Sequence, residues 1–297
     1  MTEGTPLTMD KPVFQTWAAK PMTEAEFGRF SEFISGQCGI KMPPSKKIML
    51  EARLQKRLRA LGIRTFGEYF EHILSDQGSG ELVHMLDVVT TNKTDFFREP
   101  SHFQYLTETV LPGFLEEQER LHQRERTFHV WSAGCSTGEE PYTLAMVLSE
   151  FAEQHPSFRF TILATDLSTR VLDRAREAIY DADRTAGVPP AMKHKYLLRS
   201  RDRSRNQVRI APALRAAVQF RRLNLIEDSF TFSEPLDAVF CRNVIIYFDR
   251  ATQEQLLNRL CGTLRSQGHL FLGHSESIHG LTLPLRRIVS TVHRKTD

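Results

Sequence analysis

"HVWSAGCSTGEEPYTLAMVL", His129 to Leu148, starts as a short apolar strand, turns through Gly134 and Gly138, and continues with the spacing of an amphipathic helix. A strand, a small-residue turn and a helix in succession are the opening unit of a wound α/β sheet. Glu139 and Glu140 stand where that helix begins. Anions favour a helix N-terminus, and two carboxylates placed there repel a phosphate. The loop therefore suits a ligand that carries positive charge and hydroxyls better than it suits a pyrophosphate. The glycine fingerprint of dinucleotide enzymes, G-x-G-x-x-G, is absent, since "AGCSTGEE" offers only Gly134 and Gly138. Ser132 occupies the position before the glycines where an acidic residue is more usual. One of the two glutamates is expected to replace it.

Downstream, the same rhythm repeats. "FRFTILATD" reads as a strand ending at Asp166, and "STRVLDRAREAI" as a helix capped by Ser168. "AVQFRRLNL" and "LDAVFCRNV" read as strands ending at Asn224 and Asn243. "TQEQLLNRLCGTLRSQG" reads as a helix, "HLFLGH" as a strand, and "LPLRRIVSTVHRK" as a closing antiparallel hairpin or edge strand. Apolar strands alternating with helices argue a parallel, doubly wound α/β sheet. Between Tyr180 and Phe220 the alternation is interrupted. "KYLLRS", "QVRI" and "AVQFRR" are read there as a small antiparallel β insertion over 180–222. The α/β domain is placed at 127–297.

Upstream the pattern is helical. Thr23 with Glu26 makes a capping box, and Phe27, Phe30, Phe33 and Ile34 form a stripe. In the next helix Leu50, Leu54, Leu58 and Leu61 share a face, Gly62 is the stop, and Arg53, Lys56 and Arg59 lie on the other side. "TFGEYFEHIL" and "GELVHMLDVVTT" add further helices. Residues 22–91 thus read as a small all-helical domain, 1–21 as a mobile tail, and 92–126 as a linker with a connecting helix. By composition "TTNKTDFFREP" is such a linker, with Phe96 and Phe97 buried at an interface.

The chain has 297 residues, with 40% hydrophobic and 25% charged, the balance of an ordinary globular protein. No apolar run approaches the about 18 residues of a membrane span, and the N-terminus lacks a secretory pattern. Four separated cysteines without a CxxC pair argue against a disulfide framework or zinc site and for a reducing cytoplasm. The eleven histidines show no metal-ligand spacing, so no metal is expected. Net charge is only +3, yet 41–64 and 193–222 are basic runs with Glu51 and Asp202 as their single acids. These are either solvated faces or docking faces for an acidic partner.

Taken in order and spacing, "TTNKTDFFRE", "WSAGCSTGEEPY", "ATDLS", "LNL" and "FCRNVIIYFD" resemble the chemotaxis receptor glutamate methyltransferases, from about residue 22 onward. The resemblance implies a Rossmann-like class I methyltransferase domain with a small antiparallel β insertion, preceded by a small all-helical domain. It implies methyl transfer from S-adenosyl-L-methionine to glutamate side chains on the cytoplasmic helices of chemoreceptors, by a monomeric cytoplasmic enzyme. Carried over by motif, cofactor contacts fall on Asn92, Thr94, Arg98, Glu140, Asp166, Asn224, Leu225, Asn243 and Val244. Arg98 and Tyr247 fall near the transferred methyl group, and Arg53, Lys56 and Arg59 match the basic helix that meets the receptor.

The residues read alone agree. Asp166 can accept from both ribose hydroxyls, and Asn224 can hold an adenine edge. A glutamate acceptor, with a pKa near 4.3, is ionised at neutral pH and needs no general base. Some family members grip a receptor C-terminal peptide with a glycine-containing hairpin. The matching stretch here, "RSRDRSRNQVRI", has no glycine, and Asn206 or Asp202 would take the left-handed turn position. That makes peptide tethering doubtful. The alternative reading is a nucleic-acid (RNA) methyltransferase using the same cofactor, favoured by the basic runs. It lacks the two prolines of the Asn-Pro-Pro-Tyr loop and any aromatic–basic stacking platform. A silent cofactor-binding scaffold is disfavoured because Arg98, Glu140, Asp166 and Asn243 are all in place. "GHSESI" contains no nucleophile elbow and reads as the loop after a strand.

Overall fold

The computed structural model describes residues 19–122, 126–202, 204–226 and 230–297. The expected tail falls mostly outside them. Lys20 N donates to Arg64 O at 3.0 Å and Met22 is 3% exposed, so the chain is already anchored before residue 22.

Four helices come first: α1 (Glu24–Cys38), α2 (Lys47–Leu61), α3 (Phe66–Leu74) and α4 (Ser79–Val89). Thr23 Oγ1 accepts from Glu26 N at 3.2 Å, and Glu26 Oε2 accepts from Thr23 N at 2.8 Å, closing the capping box. Phe27, Phe30 and Ile34 of α1 share a core with Leu50, Leu54 and Leu58 of α2. Leu61, expected on that stripe, is 39% exposed. It sits in the last turn, where Gly62 at φ +70° ends the helix.

Helix α5 (Ser101–Tyr105), a π turn over Leu106–Val110 and α6 (Leu111–Arg120) follow. Phe96, Phe103, Leu106, Val110, Leu111 and Phe114 pack into the core of the sheet domain. The segment read as a linker with a connecting helix therefore packs as a layer of the α/β unit from Phe96 onward. Its apolar residues decide this, since exposed they would forfeit about 1.5–3 kcal/mol each for the larger side chains.

The α/β unit then runs β1 (Phe128–Ala133), α7 (Glu139–Gln154), β2 (Phe160–Asp166), α8 (Thr169–Glu177), β3 (Ile179–Asp181), α9 (Pro190–Tyr196), β4 (Leu197–Arg199), β5 (Gln207–Ile210), α10 (Pro212–Ala216), β6 (Val218–Arg222), β7 (Leu236–Cys241), α11 (Arg250–Thr263), β8 (Leu264–Leu272), β9 (Leu285–Val289) and β10 (Val292–Lys295). The main sheet has the order β6-β2-β1-β7-β8-β10-β9. The β6, β2, β1, β7 and β8 pairings are parallel, while β10 runs antiparallel to both β8 and β9, forming the expected closing hairpin. Every residue of β7 is buried, as a central strand covered on both faces must be. Successive strands leave β1 in opposite directions, toward β2 and later toward β7. That reversal opens a crevice at their carboxyl ends.

Two sequence expectations need correction. The small antiparallel sheet is β3-β5-β4, so it recruits Ile179–Asp181 and ends at Ile210. Residues 218–222 belong instead to the main sheet, where Val218 pairs with Ile162. The assigned 180–222 insertion therefore joins a real insertion to a core strand that looks alike by composition. Likewise, the helix read through Gly268 stops at Thr263, and β8 begins at Leu264. Its register to β7 shifts between Leu236 and Ala238, and Gln267 takes φ +62°. This bulge breaks the two-residue alternation that would have marked a strand.

Candidate active site

The carboxyl ends of β1, β2 and β7 open on a cavity whose opposite wall is the helical unit, through Cys38, Met42 and Met49. All ten residues nominated from the sequence border it. Asn92, Thr94 and Arg98 come from the segment between the two units, Glu140 from the start of α7 and Asp166 from the end of β2. Asn224 and Leu225 follow β6, and Asn243, Val244 and Tyr247 follow β7.

The β1–α7 turn is shaped by backbone requirements. Gly134 has φ +83°, and a Cβ there would lie 2.5 Å from Val244 Cγ2. Gly138 has φ +97°, and its Cβ would meet Tyr180 Oη at 2.8 Å and Ala175 Cβ at 2.9 Å. Between them Ser136 adopts φ +49°. Its N–H donates to Asp166 Oδ2 at 2.8 Å and its hydroxyl to Asn92 O at 3.2 Å, joining three separate segments. Asp166 Oδ1 accepts from Ser168 N at 2.9 Å. These backbone donors leave acceptor capacity on the carboxylate for a hydroxyl of a diol. Burial pushes the Asp166 carboxyl above its ordinary range.

The paired glutamates do different things. Glu139 is fully buried, ion-paired to Arg184 at 2.7 Å and bonded to Thr137 Oγ1 at 2.6 Å. Glu140 turns to the cavity, and its Oε1 accepts from Ser132 Oγ at 2.7 Å. Its carboxylate thus stands over the end of β1, where residue 132 itself supplies only a hydroxyl. Its Oε2 meets Arg242 Nη1 at 3.1 Å. Arg242 Nη2 also reaches Glu99 Oε2 at 3.0 Å and the carbonyl of Arg98. Burial raises the Glu140 carboxyl, and the Arg242 guanidinium opposes the rise.

Arg242 was not nominated from the sequence, although an arginine directly after the buried apolar run Ala238–Cys241 demands acidic partners. Ser136 was missed because an ordinary serine gives no signal of a left-handed backbone. Glu99, His102 and His274 also come together, with one ligand atom from each within 4.8 Å of the others. Arg242 provides a positive charge at that carboxylate. Burial lowers His102 to about 4, so its imidazole is neutral at pH 7.

Asn224 is partly spent on architecture. Its Nδ2 donates to Gln37 O at 2.7 Å, tying the β6 end to α1, and its Oδ1 accepts from Ile226 N at 3.2 Å. One amide N–H and one lone pair remain. Arg98 Nη1 donates to Lys93 O at 3.0 Å, which leaves four guanidinium donors. Lys41 N donates to the Tyr247 carbonyl at 2.8 Å, so the helical unit also fixes that wall.

The basic face of α2 divides. Arg53 is half-buried and donates to Val89 O, to Thr90 O at 3.1 Å and to Thr91 Oγ1 at 3.2 Å. It is a strap on the segment that carries Asn92. Lys56 and Arg59 are exposed. In the second basic run Lys195 pairs with Glu150 at 2.8 Å and Glu153 at 2.5 Å, and Arg209 Nε donates to Glu177 O at 3.1 Å. These cations are partly consumed within the fold.

Neither Asp202 nor Asn206 is among the described residues with positive φ. Ser204 N instead donates to Asp202 Oδ1 at 3.0 Å.

Comparison with known proteins places this architecture. Residues 92–293 match the model of the CheR methyltransferase SAM-binding domain, and residues 25–90 match the CheR methyltransferase all-alpha domain. The chain belongs to the CheR methyltransferase family. A chemotaxis protein methyltransferase of Borreliella burgdorferi is 39% identical over 87% of this chain and 90% of its own. One from Escherichia coli is 37% identical over 95% and 94%, and chemotaxis protein methyltransferase 2 of Pseudomonas aeruginosa 38% over 91% and 93%.

As a CheR methyltransferase the protein uses S-adenosylmethionine and acts in chemotaxis, and the nucleic-acid alternative finds no support. The cavity fits that cofactor on its own chemistry. It offers the Asp166 carboxylate with its remaining acceptor capacity and the bare backbone of Gly134. No helix among the described residues is long and apolar enough to cross a membrane.

Proposed function

We propose that the enzyme methylates glutamate side chains on the cytoplasmic helices of bacterial chemoreceptors, producing glutamate methyl esters and S-adenosylhomocysteine. The observation that carries this reading is the grouping of Arg98 and Tyr247 with Asp166 and Glu140 around one cavity. S-adenosylmethionine supplies an electrophilic methyl group when bound. The chain's own residues then have three tasks.

Asp166 and Asn224 bind and orient, Asp166 toward a ribose diol and Asn224 through its remaining donor and acceptor. Asn92, Thr94, Leu225, Asn243 and Val244 complete the cofactor wall. Arg98 uses its spare donors to hold one oxygen of the incoming carboxylate while the other attacks. Tyr247 walls the pocket against water. No proton has to be removed, because the acceptor is ionised at neutral pH. Orientation then carries the rate, and it can supply roughly 7–11 kcal/mol in favourable cases. Lys56 and Arg59 offer the acidic receptor surface a docking face, with Arg53 behind them as support. The insertion's stretch 199–210 has no glycine, which leaves receptor C-terminal tethering outside this reading, and the enzyme works as a cytoplasmic monomer.

The test is transfer of tritiated methyl groups to membranes bearing the organism's chemoreceptors. Base-labile label, released as volatile methanol, is the expected result. Base-stable label on receptor would place the methyl group on another side chain and refute the ester. Arg98→Ala is expected to lower kcat by about 100-fold or more, the scale of losing a charged contact made in the transition state. Near wild-type turnover would remove Arg98 from its role.

A further inference from the structure

The loop after β8 is not merely a connection. Glu276 is 8% exposed and its carboxylate collects four backbone N–H groups. Oε1 accepts from Val244 N at 2.8 Å and Ile245 N at 2.9 Å, and Oε2 accepts from Asn243 N at 2.9 Å and Gly273 N at 2.5 Å. Three of these donors are consecutive residues of the segment that borders the cavity with Asn243, Val244 and Tyr247.

That segment needs an external hold. Asn243 sits at φ +59°, a left-handed conformation that asparagine tolerates better than other residues with a Cβ but that still needs local hydrogen bonds to hold it. The single 3₁₀ turn that follows, Ile245–Tyr247, has no side-chain cap of its own. Its leading N–H groups would be unsatisfied without Glu276. The fit is close on both sides, since a Cβ at Gly273 would lie 2.4 Å from Asn243 Nδ2. Only a carboxylate offers enough acceptor positions and no donor, so four N–H groups can converge on it.

We infer that Glu276 is a positioning residue for methyl transfer: its carboxylate fixes the Asn243–Tyr247 wall in the one backbone conformation that accepts the cofactor. It acts through the loop, without touching the cofactor or the acceptor. This inference rests on the proposed assignment of Asn243 and Val244 as cofactor contacts.

The test uses Glu276→Gln, which keeps the shape but turns an NH₂ donor onto backbone N–H groups. Two quantities are read on full-length enzyme: affinity for S-adenosylhomocysteine by calorimetry, and amide hydrogen exchange of the cofactor-free protein. Affinity is expected to fall by about 10- to 100-fold, the range for losing hydrogen bonds to a charged group. KM for S-adenosylmethionine rises more than kcat falls. Exchange speeds up at Asn243, Val244 and Ile245, while Leu270–Leu272 in β8 keep their protection. Glu276→Asp, which keeps the charge, recovers part of the affinity. Wild-type affinity in Glu276→Gln overturns the inference, as does equal loosening of β8 and the loop, which would make the role structural. Wild-type enzyme that does not bind S-adenosylhomocysteine at all would instead overturn the cofactor assignment beneath it.

Discussion

Glu140 and Arg242 are ion-paired at 3.1 Å at the head of β1, with side chains 13% and 2% exposed. The same guanidinium holds Glu99 at 3.0 Å. One buried cation therefore serves two carboxylates on different segments. With Arg184 paired to Glu139 at 2.7 Å, each glutamate of the acidic helix start faces a cation, so the cavity is less negative than Glu139 and Glu140 suggest.

Removing that cation should cost more than removing one of its partners. Arg242→Met strands Glu140 and Glu99, and breaking a buried pair costs about 3–5 kcal/mol. Glu140→Gln leaves Arg242 with Glu99 and should cost less. The double variant is expected to be more stable than Arg242→Met alone, because one of the two stranded charges is gone. Urea denaturation of the four proteins checks the order. A double variant no more stable than Arg242→Met would show that the coupling is weak.

The two glycines of the turn differ in kind from a helical glycine such as Gly28. Gly134→Ala must both strain a positive φ and push Val244 away. It is expected to weaken S-adenosylhomocysteine binding by about tenfold or more, equivalent to roughly 1.4 kcal/mol. Gly28 lies inside α1 with nothing within 4 Å of a new Cβ, so Gly28→Ala should stabilise by up to about 1 kcal/mol without touching binding. Calorimetry and thermal melts on both variants separate the two effects.

These relationships mark what the sequence can and cannot disclose. Strands and helices with clean periods were legible, as were the strand-end residues Asp166, Asn224 and Asn243. Position at a strand's carboxyl end is itself the signal. Residues 218–222 and 264–268 were misassigned because composition does not say which sheet a strand joins, and a bulge erases alternation. Arg242 and Glu276 were missed for another reason. Each binds groups distant in sequence, and Glu276 binds backbone N–H groups, which leave no residue-type pattern. Arg53 was seen as part of a basic stripe, yet only three dimensions separate a cation that faces solvent from one that holds carbonyls.

Buried histidines set an acid limit to stability. Burial lowers His269 to about 4, below its unfolded value of about 6.5. Below about pH 6.5 the unfolded chain takes up a proton there that the folded chain refuses until about pH 4. Its contribution is therefore fully present above about 6.5 and is lost as pH falls toward 4. Buried carboxylates raised by desolvation, such as Glu140, act in the opposite direction, so the histidine must be isolated by difference. His269→Phe, placed beside Tyr105 and Phe271, should reduce the loss of melting temperature between pH 6.5 and 4.5 relative to wild type. Parallel curves for the two proteins would assign the acid sensitivity elsewhere.

The cations of α2 are predicted to separate into support and contact. Arg53 donates to the carbonyls of Val89 and Thr90 and to the Thr91 hydroxyl, and its guanidinium is lowered in pKa by burial. Arg53→Ala leaves those carbonyls without their donor, a loss of about 1–3 kcal/mol. It should also loosen the segment leading to Asn92, weakening cofactor binding as well as lowering the melting temperature. Lys56 and Arg59 are exposed, so charge reversal there should leave melting within about 0.5 kcal/mol of wild type. Cofactor affinity should also be unchanged. Its effect should fall on the receptor alone, raising KM for receptor membranes and flattening the dependence of that KM on salt, since screening acts on exposed charges. The decisive comparison is Lys56→Glu/Arg59→Glu against Arg53→Ala, with cofactor affinity and receptor KM measured on each. Should charge reversal leave receptor KM and its salt dependence untouched, the docking face must lie elsewhere on the enzyme, and Arg53 would keep its place as a strap.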